Sequence, residues 1–145
     1  MSLLGRAVFA LMRWRARKGL AREGDTGQST GVNGETYAYW FLRKQGYILV
    51  ARNYQIPGLR GEIDLVGYDG QQLAFVEVKT RTAENAEPEQ AVTAEKQRVL
   101  ARMARRFLAD RRLNDVLWRF DVVAIRSHPG HPPDVRLYKD AFAAR

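Results

Sequence analysis

The chain contains no cysteine, which excludes disulfides and thiolate metal centres and fits a reducing, cytoplasmic setting. Histidine is almost as scarce. The two histidines, His128 and His131, sit in the stretch RSHPGHPP with three prolines, and Asp134 is the one carboxylate near them, so no metal site is expected there. No apolar run reaches the ~18 residues needed to span a bilayer. Acids are missing altogether from residues 1–22. Arg6 interrupts the apolar part of that segment and the charges follow it, which rejects a secretory signal.

What is present is positive charge, unevenly placed. The formal net charge of the 145 residues is +8, and Arg6, Arg13, Arg15, Arg17, Lys18 and Arg22 account for six of those charges. A second concentration lies at residues 96–112, where seven bases face Asp110 alone. Such clusters attract phosphate backbones or anionic headgroups. With 46% hydrophobic residues, a chain of this length can bury ~70% of its unfolded surface in one core. Leu4, Val8, Leu11 and Met12 make residues 1–22 a basic amphipathic helix, which would also suit a lipid surface. Nucleic acid is the expected partner, and a membrane is not. The Gly/Ser/Thr/Asn-rich stretch 24–34 reads as a linker, so residues 1–30 form an arm and 31–145 one domain.

Within that domain the pattern predicts a helix from about Glu35 to Gln45, capped by Asn33, then a strand over 47–54. Two strands follow, roughly 62–68 and 73–80, turning at Asp69-Gly70. A second helix spans about 89–109. A strand at 118–125, the loop RSHPGHPP and a short edge strand DVRLYK complete the chain. This order predicts an α/β fold, a mixed sheet with helices against its faces, whose hairpin is antiparallel and whose fourth strand returns parallel.

The hairpin GEIDLVGYDGQQLAFVEVKTR is oddly charged for its position. Alternation puts Glu62, Asp64 and Val66 on one face of the first strand, and Phe75, Glu77 and Lys79 on one face of the second. A two-residue loop at Asp69-Gly70 sets Glu62 opposite Glu77; a four-residue loop sets Asp64 there. Both registers collect the acids on one side, leaving Ile63, Leu65, Ala74, Val76 and Val78 on the other as core. Opposed carboxylates destabilise a sheet, and one lysine does not neutralise three of them. A divalent cation does: Mg²⁺ (or Mn²⁺) takes hard oxygen ligands and leaves positions for water and phosphate, and a lysine beside it can orient the attacking water. The plain alternative is Lys79 paired with Glu77 on a solvated sheet surface.

The helices add candidates. Glu35 begins the row Glu35, Ala38, Leu42, so it aims at the core, either as a fourth acid of the site or as an ordinary first-turn glutamate. Lys96 lies one turn before Val99 and Leu100 on the apolar stripe that continues to Met103 and Phe107, with Gln97 at its edge. Arg98, Arg102 and Arg105 form a separate outward row suited to phosphates. Thr80 and Arg81 close the strand beside the acids and are candidate phosphate contacts, Arg81 for nucleic acid. Asp121, facing away from Phe120 and Val122, reads as structural, and Trp14, Trp40 and Trp118 as packing residues.

The runs GEIDL (61–65), FVEVKTR (75–81), AVTAEKQ (91–97) and RFDVV (119–123) together resemble the YraN-like family of bacteria, itself similar to archaeal Holliday-junction resolvases and the PD-(D/E)xK restriction-endonuclease-like superfamily. The resemblance covers roughly Asn33 to Ile125. It implies a restriction-endonuclease-like fold and an Mg²⁺- or Mn²⁺-dependent endonuclease acting on DNA, branched DNA included. By position, Asp64 matches the motif aspartate, Glu77 the second metal-binding acid, Lys79 the catalytic lysine and Glu35 the helical glutamate of the resolvases. Ile63 stands where the superfamily name has proline. Resolvases work as symmetric dimers, so the resemblance also implies a homodimer. The superfamily contains members that bind without cutting, which makes an inactive nucleic-acid-binding module the alternative.

Overall fold

The structure is a computed structural model that describes residues 27–82 and 92–144, with side chains over 34–81 and 92–144. Helix α1 (Gly27–Lys44) leads into β1 (Ile48–Tyr54), β2 (Ile63–Asp69) and β3 (Gln72–Thr82); helix α2 (Ala94–Asp110) then connects to β4 (Trp118–His128) and β5 (His131–Phe142). The strands form one open sheet in the order β1-β2-β3-β4-β5. All neighbours are antiparallel except β3 and β4, which run parallel with Phe75 beside Phe120 and Lys79 beside Ala124. The protein is thus a mixed α/β fold, as its element order predicts. The expectations for residues 1–22 and for the acidic loop before α2 lie outside the described residues.

One helix covers each face of the sheet, which is why β2 and β3 read as nearly continuous apolar runs. Tyr37, Ala38 and Leu42 of α1 pack on Leu65, Ala74, Val76, Val123 and Ile125. On the other face Leu100, Met103 and Phe107 of α2 pack on Val66, Leu73, Phe75 and Phe120. Phe75 is the hub there, with edge contacts to Phe107 (5.6 Å between centroids) and Trp118 (5.7 Å). Trp40 packs against the α1 cluster.

Several boundaries differ from expectation. Helix α1 begins at Gly27, inside the stretch expected as a linker, so Asn33 is helical and not a cap. Helix α2 begins later than predicted because the Thr93 hydroxyl caps it, accepting from the Lys96 N–H at 3.2 Å. The hairpin turn is Gly70-Gln71, not Asp69-Gly70: Asp69 pairs with Gln72, and Gly70 adopts the left-handed φ of +61°. That two-residue turn carries the register expected of the longer loop. Ile63 belongs to the α2 cluster, not to the face of Leu65. Finally, RSHPGHPP is no loop. Strands β4 and β5 run to His128 and from His131, turning at Pro129-Gly130. Pro132 and Pro133 are tolerated because β5 is an edge strand.

Away from the acidic hairpin face, a buried charge network ties the sheet together. Asp121, fully buried, accepts hydrogen bonds from Tyr47 Oη (2.7 Å), Arg119 Nε (2.8 Å) and the Asp140 N–H (3.0 Å). Arg119 also donates to Gln72 (2.7 Å) and Asp69 (2.7 Å). The structural reading of Asp121 has its cause in these partners. His128 pairs with Asp134 at 2.7 Å across the β4–β5 hairpin.

Candidate functional site

Strands β2 and β3 pair regularly from Asp69/Gln72 as far as Leu65/Val76. Continuing that register would give the Val78 N–H to the backbone near Ile63. Instead it donates to Asp64 Oδ2 at 2.7 Å. The side chain of Asp64 therefore stands in for a ladder carbonyl where the strands part, which fixes its carboxylate between them. Two close approaches shape this opening. Gly34 lies where a Cβ would come within 2.2 Å of Thr80 Cγ2, so the absent side chain lets α1 bring Glu35 to the end of β3. Gly61, at φ +108°, would place a Cβ 2.6 Å from Val99 Cγ1, so only glycine lets the chain pass α2 immediately before Glu62.

Around Asp64 gather two sets of groups. Carboxylate oxygens of Glu35, Glu62 and Asp64 all lie within 4.8 Å of one another. On the α2 side, Glu77 is buried, with 5% of its surface exposed, and its Oε1 accepts from Lys96 Nζ, with Lys79 Nζ 3.5 Å away. Glu77 Oε2 is buried and has no hydrogen-bond partner among the described residues. Asp64 is the junction of the two sets.

Electrostatics follow from this crowding. Burial first, and the charge of Glu77 second, push the Asp64 carboxyl up to about 8, although the Val78 N–H opposes them. Burial and Glu62 raise Glu35 in the same direction. The two lysines share Glu77 unequally. Burial lowers Lys79, helped by the ammonium of Lys96 and opposed by Glu77. Burial opposes the charge on Lys96 too, but its close contact with Glu77 prevails and raises it.

Asp64, Glu77, Lys79, Glu35 and Lys96, expected from the sequence as one group, thus surround one opening. Arg98, Arg102 and Arg105 are exposed on the outer side of α2. The Gln97 amide donates to Val92 O at 3.0 Å and holds the chain entering α2. The Arg81 guanidinium donates to Thr80 O at 2.9 Å. Glu62, expected on the acidic face, joins this group, and two neighbours, Gln55 and Asn53, were not among the expected residues. Glu62 receives Gln55 Nε2 at 2.8 Å, and Asn53 reaches both Glu35 and Glu62. The signal for Glu62 was its i, i+2 relation to Asp64. Asn53 was signalled only as an asparagine interrupting a β-pattern.

The donor set suits a hard divalent cation. It consists of carboxylate oxygens, one of them on Glu77 without a hydrogen-bond partner among the described residues, around an aspartate whose charge burial and Glu77 disfavour. Asp64 and Glu77 would hold such an ion, with Glu35 and Glu62 beside them.

Fold and site together define a mixed α/β protein with an acid–lysine cluster where two central strands separate. The sequence profile of the uncharacterised protein family UPF0102 matches residues 34–125. Similar proteins include a UPF0102 protein of Koribacter versatilis, 43% identical over 78% of each chain. Another, from Geotalea uraniireducens, is 41% identical over 79% of this chain and 90% of its own. A third, from Solibacter usitatus, is 47% identical over 68% and 75%. The chain belongs to the UPF0102 family, the YraN family. No helix among the described residues is long and apolar enough to cross a membrane.

Proposed function

We propose that this protein is a divalent-metal-dependent endonuclease of the PD-(D/E)xK type, hydrolysing phosphodiester bonds in DNA, with branched DNA among its substrates. The observation that carries this reading is the arrangement at the parted strands: Asp64 short of counter-charge, the buried Glu77 with an unpartnered oxygen, and Lys79 between burial and a carboxylate. A cation bound there would polarise the scissile phosphate and lower the pKa of its water. The chain's own residues do the rest. Lys79, its ammonium made easier to deprotonate by burial, holds the attacking water and takes part in its proton transfer. Lys96, charged and 40% exposed, faces the charge that builds on the phosphate. Beside them a groove of about 240 Å³, lined by Arg60, Glu62, Thr93 and Lys96, offers a path for the backbone. Arg98 and Arg102 extend the positive surface along α2.

The test is cleavage of linear, flapped and four-way DNA with Mg²⁺ or Mn²⁺. Activity is expected in the wild type and lost in Asp64→Ala and in Lys79→Ala; cutting that survives both would belong to a contaminant. One observation favours a second reading, a binding module without turnover: Lys96 already supplies a counter-ion to Glu77. Salt-dependent DNA binding by a protein that takes up no Mg²⁺ at millimolar levels would select that alternative.

A further inference from the structure

Asn53, next to last in β1, adopts a conformation that few residues tolerate, at φ +48°. Asparagine is among the side chains that enter this left-handed region most readily. The turn of the backbone there presents its amide to the acids. In the amide orientation that satisfies both neighbours, its nitrogen lies 2.7 Å from Glu35 Oε2 and 2.9 Å from Glu62 Oε1. An NH₂ group has two protons to give, and here each goes to a different carboxylate. One carboxylate comes from α1 and the other from the chain just before β2. Among the described residues neither acid has a cation at salt-bridge distance. Gln55 secures the second oxygen of Glu62 at 2.8 Å, and Arg52, which bonds Thr36 at 3.2 Å, adds its charge near Glu35.

The three carboxyl groups have oxygens within 4.8 Å of one another, and the charges of Glu35 and Glu62 repel. Left alone, the two on flexible side chains would swing apart. We propose that Asn53 is a positioning residue: its amide cross-braces Glu35 and Glu62 and holds both against Asp64 for a divalent cation. This rests on the metal-dependent reading above, but the brace itself exists without metal. Groups that orient ligand carboxylates in this way typically change metal affinity ~10–100-fold when removed.

The test uses Asn53→Gly, which keeps the left-handed backbone and deletes the amide. Mn²⁺ affinity by calorimetry should fall ~10–100-fold. In a background carrying Glu35→Gln and Glu62→Gln, the same substitution should have almost no further effect, because the groups it acts through are gone. A metal-free measurement accompanies these. The Asn53 side-chain NH₂ signals in NMR should be shifted and protected in the wild type, and should move toward free-amide values in Glu62→Gln. Unshifted, unprotected amide signals would overturn the proposal, and so would Mn²⁺ affinity unchanged in Asn53→Gly. Protected amide signals in a wild type that binds no Mn²⁺ would instead overturn the nuclease reading and leave the brace standing.

Discussion

Replacing Asp64 by asparagine should make the protein more stable, and more so as the pH rises. The ordinary aspartate value is 3.8, whereas Asp64 keeps its proton to about 8. Between these values the folded protein carries a proton that the unfolded chain has released. Stability therefore falls with rising pH, with a limiting slope of ~1.4 kcal/mol per pH unit. From about pH 5 to about pH 7.5 the limiting loss is ~3 kcal/mol. Glu77 and Glu35 bear on the same proton, so roughly half of that, ~1.5–2 kcal/mol, is assigned to Asp64 alone. Asparagine retains an oxygen to accept the Val78 N–H and removes the charge. For a domain of this size the gain corresponds to a rise in Tm of ~4–8 °C at about pH 7.5, and to much less at about pH 5. Thermal melts in EDTA at both pH values measure it. An Asp64→Asn protein that melts at or below the wild type at both would show that the carboxylate is already satisfied, and the electrostatic argument would fail.

Further predictions follow from neighbouring features. Mg²⁺ at about ten times its Kd should stabilise the wild type by ~1.4 kcal/mol, or ~3–6 °C, and should leave the melting of Asp64→Asn unchanged. Asp121→Ala takes one of two carboxylate partners from Arg119 and the acceptor from Tyr47 and the Asp140 N–H, and should cost ~2–4 kcal/mol in urea unfolding; a cost under ~1 kcal/mol would mean that the network is dispensable. Gly34→Ala sets a methyl 2.2 Å from Thr80 Cγ2 and should cost ~1–3 kcal/mol, most of it recovered when Thr80→Ser removes that methyl group. Arg98→Gln with Arg102→Gln should weaken DNA binding and flatten its dependence on log salt concentration by ~2; an unchanged slope would take both residues off the DNA path.

Much of this arrangement was legible in the residues, for identifiable reasons. Alternation in β2 and β3 and the helical stripe from Val99 to Phe107 are local periodicities, and they placed Asp64, Glu77, Lys79 and Lys96 around one opening. The turn was harder to read. Gly70 can take either loop position, and the actual Gly70-Gln71 turn carries the register that sets Glu77 across from Asp64. The hairpin at Pro129-Gly130 was hidden because prolines argue against strands unless the strand is known to be an edge. Glu62 was legible through its alternation with Asp64, whereas Asn53 entered through backbone geometry that no period encodes, a left-handed residue near the end of β1.

The central claim, that Asp64 and Glu77 hold a divalent cation, is tested most directly by Mn²⁺ anomalous scattering from crystals soaked at millimolar concentration. The expected result is a peak within ~2.0–2.3 Å of oxygens on both residues, with Lys96 moved away from Glu77. No peak, with Lys96 still bound to Glu77, would contradict it.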